Sequence, residues 1–311
     1  MKSLVILGSS SFLGRILLND ASSDLSFKAI VRKIPANADK YNKKVKWIKI
    51  DNINFSSLIK IFKKGDVVIN LIYIKDNNRN TNINLINHIV DACIYSKISR
   101  LIHCSTASVV GDSDTKYINE LTPCNPKTSY EKVKMEIEKI VLRGLSKGLD
   151  IAILRPTAIV GYEGHNLKKL ANSLIYGNKF INYVKRCVLV NIPMHLVPVR
   201  NVVSALIHLA LLENNLNGNI FLVSEDRDVN NNYLKVEDIL LDALELENTK
   251  FPRIFIPKIF QSVLFKILKR NDLNPNRKYV SKKLSEYGFK PTDTIKDAIY
   301  QFTKSIKKSS N

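Results

Sequence analysis

Tyr130 and Lys134 lie four residues apart in a segment with helical spacing. On a helix that interval sets both side chains on one face, within reach of one ligand. A free phenol titrates at about 10, so it acts as a base near neutral pH only where a neighbouring cation stabilises the phenolate. Lys134 is placed to supply that charge. The helix has a visible start, because Thr128-Ser129-Tyr130-Glu131 has the form of a capping box, and its spacing continues to about Ser146. A Tyr-x-x-x-Lys pair also occurs on solvated helices. What gives this one chemical meaning is Ser105-Thr106, at the end of the apolar run that begins Leu101-Ile102-His103-Cys104. A hydroxyl there stands at the carboxyl end of a strand, where ligands of open α/β sheets bind.

The elements that must position these groups begin at the first residues. Lys2 to Leu7 reads as a nearly all-apolar strand, the pattern of one buried on both faces. Gly8-Ser9-Ser10-Ser11-Phe12-Leu13-Gly14 then turns into a helix. Gly8 permits a sharp exit, Gly14 lets the helix pack closely, and free amides at the helix start attract a pyrophosphate. Gly8, Ser10, Ser11, Phe12, Leu13 and Gly14 are therefore cofactor-binding candidates, although Ser11 stands where the full dinucleotide fingerprint has its central glycine. A second strand, Phe27 to Arg32, ends in Arg32-Lys33 with no acid to bind a ribose 2′-hydroxyl. Arginine there leans toward NADP rather than NAD.

Further strands are expected at Val45 to Ile50, Asp66 to Tyr73, Ile151 to Leu154 and Ile220 to Val223, with helices at 55–62, from about Asn82 to Tyr95, and at 201–212. Asp51, Asn70, Leu71 and Pro156, in or just after these strands, are also cofactor-binding candidates. Strands alternating with helices imply an α/β fold with a doubly wound parallel sheet. From Ser224 the pattern turns mostly helical, with helices expected at 236–246, 258–268, 278–287 and 295–306. The division expected is a dinucleotide-binding domain at 1–160 with 196–223, and a smaller substrate-binding lobe at 161–195 with 224–311.

Composition narrows the function classes. The chain has 311 residues, 45% hydrophobic, and no apolar run long enough to cross a bilayer. The first residues lack a secretory signal, which points to a cytoplasmic protein. Cys93, Cys104, Cys124 and Cys187 show no CxxC spacing, so neither a disulfide framework nor a metal site is expected. A net charge of +20 invites a nucleic-acid partner, but the lysines are dispersed and no recognition motif accompanies them. They read as a solvated surface. Ile259, Phe260, Val263, Leu264, Ile267 and Leu268 make an apolar face that reads as a core helix rather than a membrane contact.

With these motifs in order, the chain resembles the extended short-chain dehydrogenase/reductase family of sugar-nucleotide epimerases, dehydratases and reductases. The likeness rests on Gly8 to Gly14, Asp66-Val-Val-Ile-Asn-Leu, Asn82, Cys104 to Gly111, Tyr130 to Lys134, Leu154 to Gly161 and Gly288-Phe289-Lys290-Pro291. It implies a Rossmann-type fold and an NAD(P)-dependent hydride transfer. By the same resemblance Tyr130 is the general acid/base, Lys134 lowers its pKa and holds the nicotinamide ribose, Thr106 hydrogen-bonds the reacting oxygen, and Asn82 supports the site. It further implies a nucleotide-linked sugar as substrate, polysaccharide biosynthesis as the setting, and a homodimer through the helices at 82–95 and 128–146.

Departures narrow this. Ala107-Ser108 replaces the acidic pair of the dehydratase branch, so a 4,6-dehydratase is not expected. Val110 replaces the tyrosine of that segment, and Met194, Arg200 and Asn201 stand where epimerases carry an arginine and paired aspartates. Lys168, Lys169, Arg186 and Arg200 are candidates to replace the lost pyrophosphate contact. The loop from Tyr73 to Asn82 is shorter than is usual in the family. Two alternatives stay open: an NADP-dependent ketone or alcohol reductase with a non-sugar substrate, and a non-catalytic dinucleotide-binding scaffold.

Overall fold

Strand β1 (Ser3–Leu7) is an interior strand of the main sheet, and its side chains explain the layers around it. Leu4 and Ile6 point into one core, Val5 and Leu7 into the other, and all four are fully buried. Burial of such a side chain contributes about 1.5–3 kcal/mol, so a run that is apolar at every position is what a two-sided sheet requires. The computed structural model describes residues 3–20, 25–41, 44–74, 78–113, 115–247 and 276–309. The apolar face expected over Lys258 to Arg270 lies outside them.

The sheet runs β3 (Val45–Lys49), β2 (Ser26–Val31), β1, β4 (Val67–Asn70), β5 (Arg100–Cys104), β7 (Ile151–Pro156), β10 (Asn219–Val223). All of its pairings are parallel. The order reverses between β1 and β4, and a crevice opens at such a switch point. On one face pack α1 (Phe12–Asp20) and α7 (Val199–Leu211), through Leu13, Leu17, Val202 and Leu206. On the other pack α2 (Phe55–Ile59), α3 (Arg79–Tyr95) and α4 (Ser129–Leu142), through Leu58, Ile86, Ile89, Val133 and Ile137. This is the doubly wound Rossmann arrangement that the strand and helix pattern implied.

A separate core joins α5 (Lys168–Tyr176), α8 (Tyr233–Ala243) and the helix Ile295–Ser309 around Leu167, Ala171, Leu240 and Phe302. Two small parallel ladders bring distant segments in: β8 (Ala158–Val160) with β9 (Leu196–Pro198), and β6 (Tyr117–Ile118) with β11 (Lys278–Tyr279). The helix expected over 278–287 is thus corrected. Lys278 and Tyr279 form a strand, and only Lys282–Glu286 is helical. The helix expected to reach Ser146 stops at Leu142 and continues as a 3₁₀ turn, Arg143–Lys147.

Helix α6 (Lys179–Leu189) has its polarity reversed relative to an ordinary surface helix. Asn182 and Arg186 are buried, while Phe180, Ile181 and Val184 are exposed. Arg186 lies against Glu237 at 3.7 Å and bonds Asp238, both on α8. That removes Arg186 from the candidates for a pyrophosphate contact. Asn201, in place of one of the family's aspartates, is structural: its Oδ1 accepts the amides of Thr292 and Asp293 at 2.9 Å each.

Candidate active site

The Tyr130 helix starts as its capping box dictates. The Glu131 amide donates to Thr128 Oγ1 at 3.2 Å, and Glu131 Oε2 accepts the Thr128 amide at 3.0 Å. Tyr130 therefore sits in the first turn of α4, 43% exposed, with Lys134 one turn on and 3% exposed. Lys134 Nζ donates to the Cys104 carbonyl at 3.1 Å, which anchors α4 to the carboxyl end of β5. Thr106 follows that strand end and caps the short turn Ala107–Val110, accepting the Ser108 amide at 3.3 Å. The turn closes at Gly111, where φ is 61° and a Cβ would run into the Asn125 carbonyl.

The Thr106 hydroxyl, 3.0 Å from Ser108 Oγ, is close enough to the Tyr130 phenol to act on it electrostatically. The Tyr73 ring, from the segment after β4, meets the Tyr130 ring edge-on at 5.1 Å and lies 5.3 Å from Lys134 Nζ. Tyr73 is the group that sequence reasoning missed, and an aromatic residue just past a strand end was the one available signal. Burial, with smaller contributions from Cys104 and Tyr73, pushes the Tyr130 phenol up to about 12, with Thr106 acting in the opposite direction. Burial also pulls Lys134 down, with Cys104 and Glu138 opposing. The expected lowering of the phenol is thus not what these groups produce by themselves.

Beside this cluster a cleft of about 890 Å³ opens at the switch point, large enough for a nucleotide cofactor. Gly8, Ser10 and Ser11 line one part of it, Arg32 and Asp51 another, and Leu71 and Tyr73 the side toward Tyr130. Gly8 has φ 87°, and the Ser11 amide returns to its carbonyl at 2.9 Å. A Cβ on Gly14 would collide with that same carbonyl, so only glycine lets α1 lie this close to the turn. Phe12 and Leu13 form the first turn of α1, whose amides have no acceptor within the helix. Ser11 uses its hydroxyl to accept the Gly14 amide at 3.1 Å. The donor set and the close-packed turn fit an anionic pyrophosphate.

Three expected residues, Asn70, Pro156 and Asn82, are not in the cleft's wall. Asn70 is buried, its Oδ1 accepting the Ile72 amide at 3.0 Å and its Nδ2 3.1 Å from His103 Nδ1. Pro156 is buried at the end of β7, paired with Val223 of β10. Asn82 does not open its helix; Asn78 caps α3 instead. The Asn82 amide group clasps the Ile74 backbone, accepting its N–H and donating to its carbonyl, both at 2.9 Å. It thereby holds the segment that carries Tyr73.

A seven-stranded parallel sheet of this order, with a glycine turn at its switch point, defines a dinucleotide-binding α/β protein. A profile of the NAD dependent epimerase/dehydratase family matches residues 4–222, and the chain belongs to that family. Sterol demethylase protein B of Methylococcus capsulatus is 27% identical over 165 residues, 51% of this chain and 46% of that protein. The chain spans less than half the length of the curated relatives it matches. Among solved structures, UDP-glucuronic acid 4-epimerase from Bacillus cereus in complex with NAD superposes with a TM-score of 0.70 at 18% identity, covering 100% of each chain. Vestitone reductase from alfalfa (Medicago sativa) has a TM-score of 0.70 at 20% identity, covering 100% of this chain and 99% of that one. These two likenesses speak for the fold. Among the described residues no helix is long and apolar enough to cross a membrane.

Proposed function

We propose that this chain is an NAD(P)-dependent enzyme that moves a hydride at a hydroxyl- or keto-bearing carbon of a nucleotide-linked sugar, as an epimerase or a reductase. One observation carries the reading: Thr106, Tyr130 and Lys134 meet around the Cys104 carbonyl and the Tyr73 ring, beside the glycine-floored cleft. When bound, the nicotinamide ring gives or takes the hydride. Tyr130, with its phenol held up by burial, keeps its proton near neutral pH and so serves first as the acid that donates to a substrate carbonyl oxygen. Thr106 orients that phenol and the reacting oxygen. Lys134 is the cation that would hold the nicotinamide ribose, and Asn82 supports the site by fixing the Ile74 backbone.

Gly8, Ser10 and Ser11, with the amides of Phe12 and Leu13, would hold the pyrophosphate, and Gly14 the approach of α1. Arg32 favours NADP over NAD, with Asp51 and Leu71 completing the wall and Asn70 and Pro156 backing it. In this reading residues 1–160 with 196–223 carry the dinucleotide, and 161–195 with 224–311 the substrate. The setting is cytoplasmic polysaccharide biosynthesis, with two copies pairing through α3 and α4. The decisive experiment is to identify the nucleotide retained on purification. Tightly held and recycled NAD marks an epimerase, stoichiometric NADPH oxidation with a keto-substrate marks a reductase, and no affinity for either nucleotide overturns the proposal.

A specific observation favours a second reading, an NADP-dependent reductase of a non-sugar ketone. Met194 is apolar and Arg186 is committed to Glu237 and Asp238, so neither is available to a diphosphate. Absence of any binding to UDP, with NADPH bound normally, would select this reading.

A further inference from the structure

His195 has side-chain chemistry that the proposed reaction does not use. It precedes β9, and its carbonyl accepts the Ala158 amide at 2.9 Å. Its φ of 49° is in the left-handed region, which few residues other than glycine adopt, although histidine does so more often than most. The ring is nevertheless fixed. Nδ1 lies 2.6 Å from Asp226 Oδ2, and the same oxygen accepts the Tyr279 amide at 2.7 Å. Asp226 is buried, while the His195 side chain is 23% exposed. A carboxylate behind Nδ1 makes that nitrogen the donor and turns Nε2 the other way. Among the described residues Nε2 has no hydrogen-bond partner.

The neighbours locate this ring relative to the reacting groups. Tyr279 meets it edge-on at 5.0 Å and itself packs against the small core of Ala107, Val110, Ile118 and Leu222, of which Ala107 and Val110 belong to the turn that Thr106 caps. Arg277 donates to the carbonyl of Ser113 at 2.8 Å, just past Gly111. None of these residues lines the cleft bounded by Gly8 and Arg32. The imidazole is thus one ring away from the small core beneath the turn that Thr106 caps, and outside the cofactor's cleft. Asp226 has a structural task in holding β11, but that task does not need an imidazole.

We infer that His195 is a substrate-binding residue whose Nε2 meets an oxygen of the substrate, either a phosphate oxygen or a sugar hydroxyl, with Asp226 as the positioning residue behind it. This rests on the nucleotide-sugar reading above and adds a contact on the substrate half.

The test titrates UDP and UDP-glucose into the full chain by calorimetry, with NADPH binding followed by nicotinamide fluorescence. His195→Asn suits the left-handed backbone, and its shorter tip cannot reach where Nε2 does. The expected result is an affinity loss of about tenfold, the size of one hydrogen bond, with the melting temperature and NADPH binding kept. A loss shared by UDP and UDP-glucose assigns the contact to phosphate, and a loss confined to UDP-glucose assigns it to a hydroxyl. Asp226→Asn, which keeps an acceptor for the Tyr279 amide, is expected to give a smaller loss of the same pattern. If the parent binds both probes and His195→Asn binds them equally well, the subsite is wrong and the nucleotide-sugar reading stands. Loss of NADPH binding together with a lowered melting temperature in His195→Asn marks a structural role and overturns the inference. A parent chain that binds neither probe overturns the nucleotide-sugar reading and the subsite together.

Discussion

Removing the Tyr130 hydroxyl takes away the proton that the substrate oxygen needs, without touching the glycine turn. Tyr130→Phe is therefore expected to lower turnover by about 10²- to 10⁴-fold while NADPH still binds, measured by steady-state kinetics and fluorescence titration. The sign of the pH dependence follows from the upward shift of the phenol to about 12. Reduction uses the protonated form and stays level through neutrality. Alcohol oxidation needs that proton gone, so its rate rises with pH across the neutral and mildly alkaline range. Arg32→Ala should weaken NADPH by roughly ten- to a hundredfold, the loss of one charged hydrogen bond, and leave NADH unchanged. Thr106, Tyr130 and Lys134 were legible in the sequence because a helical interval and a strand end are local patterns. Tyr73 was not, because its place depends on β4 leaving the sheet beside α4. Arg186 stood among the candidates for a pyrophosphate contact because the acids that hold it lie on α8, far along the chain.

Helix α4 is tied down at both ends, and its tilt decides where Tyr130 and Lys134 point. Near its C-terminal half Glu138 takes Arg155 of β7 in a buried two-point bond, at 3.0 and 2.6 Å. Glu138→Leu would leave the guanidinium buried and unpaired, at a cost of about 3–5 kcal/mol seen as a lower melting temperature. Thr128→Ala removes the cap at the other end, for about 1 kcal/mol, and its larger effect should be on turnover as the first turn frays beneath Tyr130. At this scale the main-sheet strands were readable because most are largely apolar and the edge strand β3 alternates apolar residues with lysines. The ladder of Tyr117–Ile118 with Lys278–Tyr279 was not, being a two-residue pairing across the chain that no local period announces. A run of lysine-flanked residues at 278–287 therefore looked helical throughout.

Across the whole molecule the buried acids set how stability responds to pH. Burial, with Asp228 and Asp226 adding to it, holds Glu225 up to about 7, against a bond from Asn201. That is above a free glutamate's value of about 4.3, so the folded chain keeps a proton that the unfolded chain has lost. Its stabilising contribution is complete below the free value and is lost as pH rises through about 7. Glu225→Gln is expected to raise the melting temperature at about pH 8 and to change it little at about pH 4, measured by thermal melts at the two values. His103 has the opposite sign: burial first, then Lys134, hold its imidazole neutral, so its contribution is present above about 6.5 and is lost as pH falls below that.

The outward aromatic and aliphatic side chains of α6 sit on a chain that carries a formal charge of +20. Mutual repulsion between copies is then the force that keeps Phe180 and Ile181 of one molecule off those of the next. Added salt shortens the reach of that repulsion to about 10 Å at 0.1 M and leaves the oily contact untouched. Colloidal behaviour should accordingly run against habit: dilute buffer disperses the chain, and brine makes it clump.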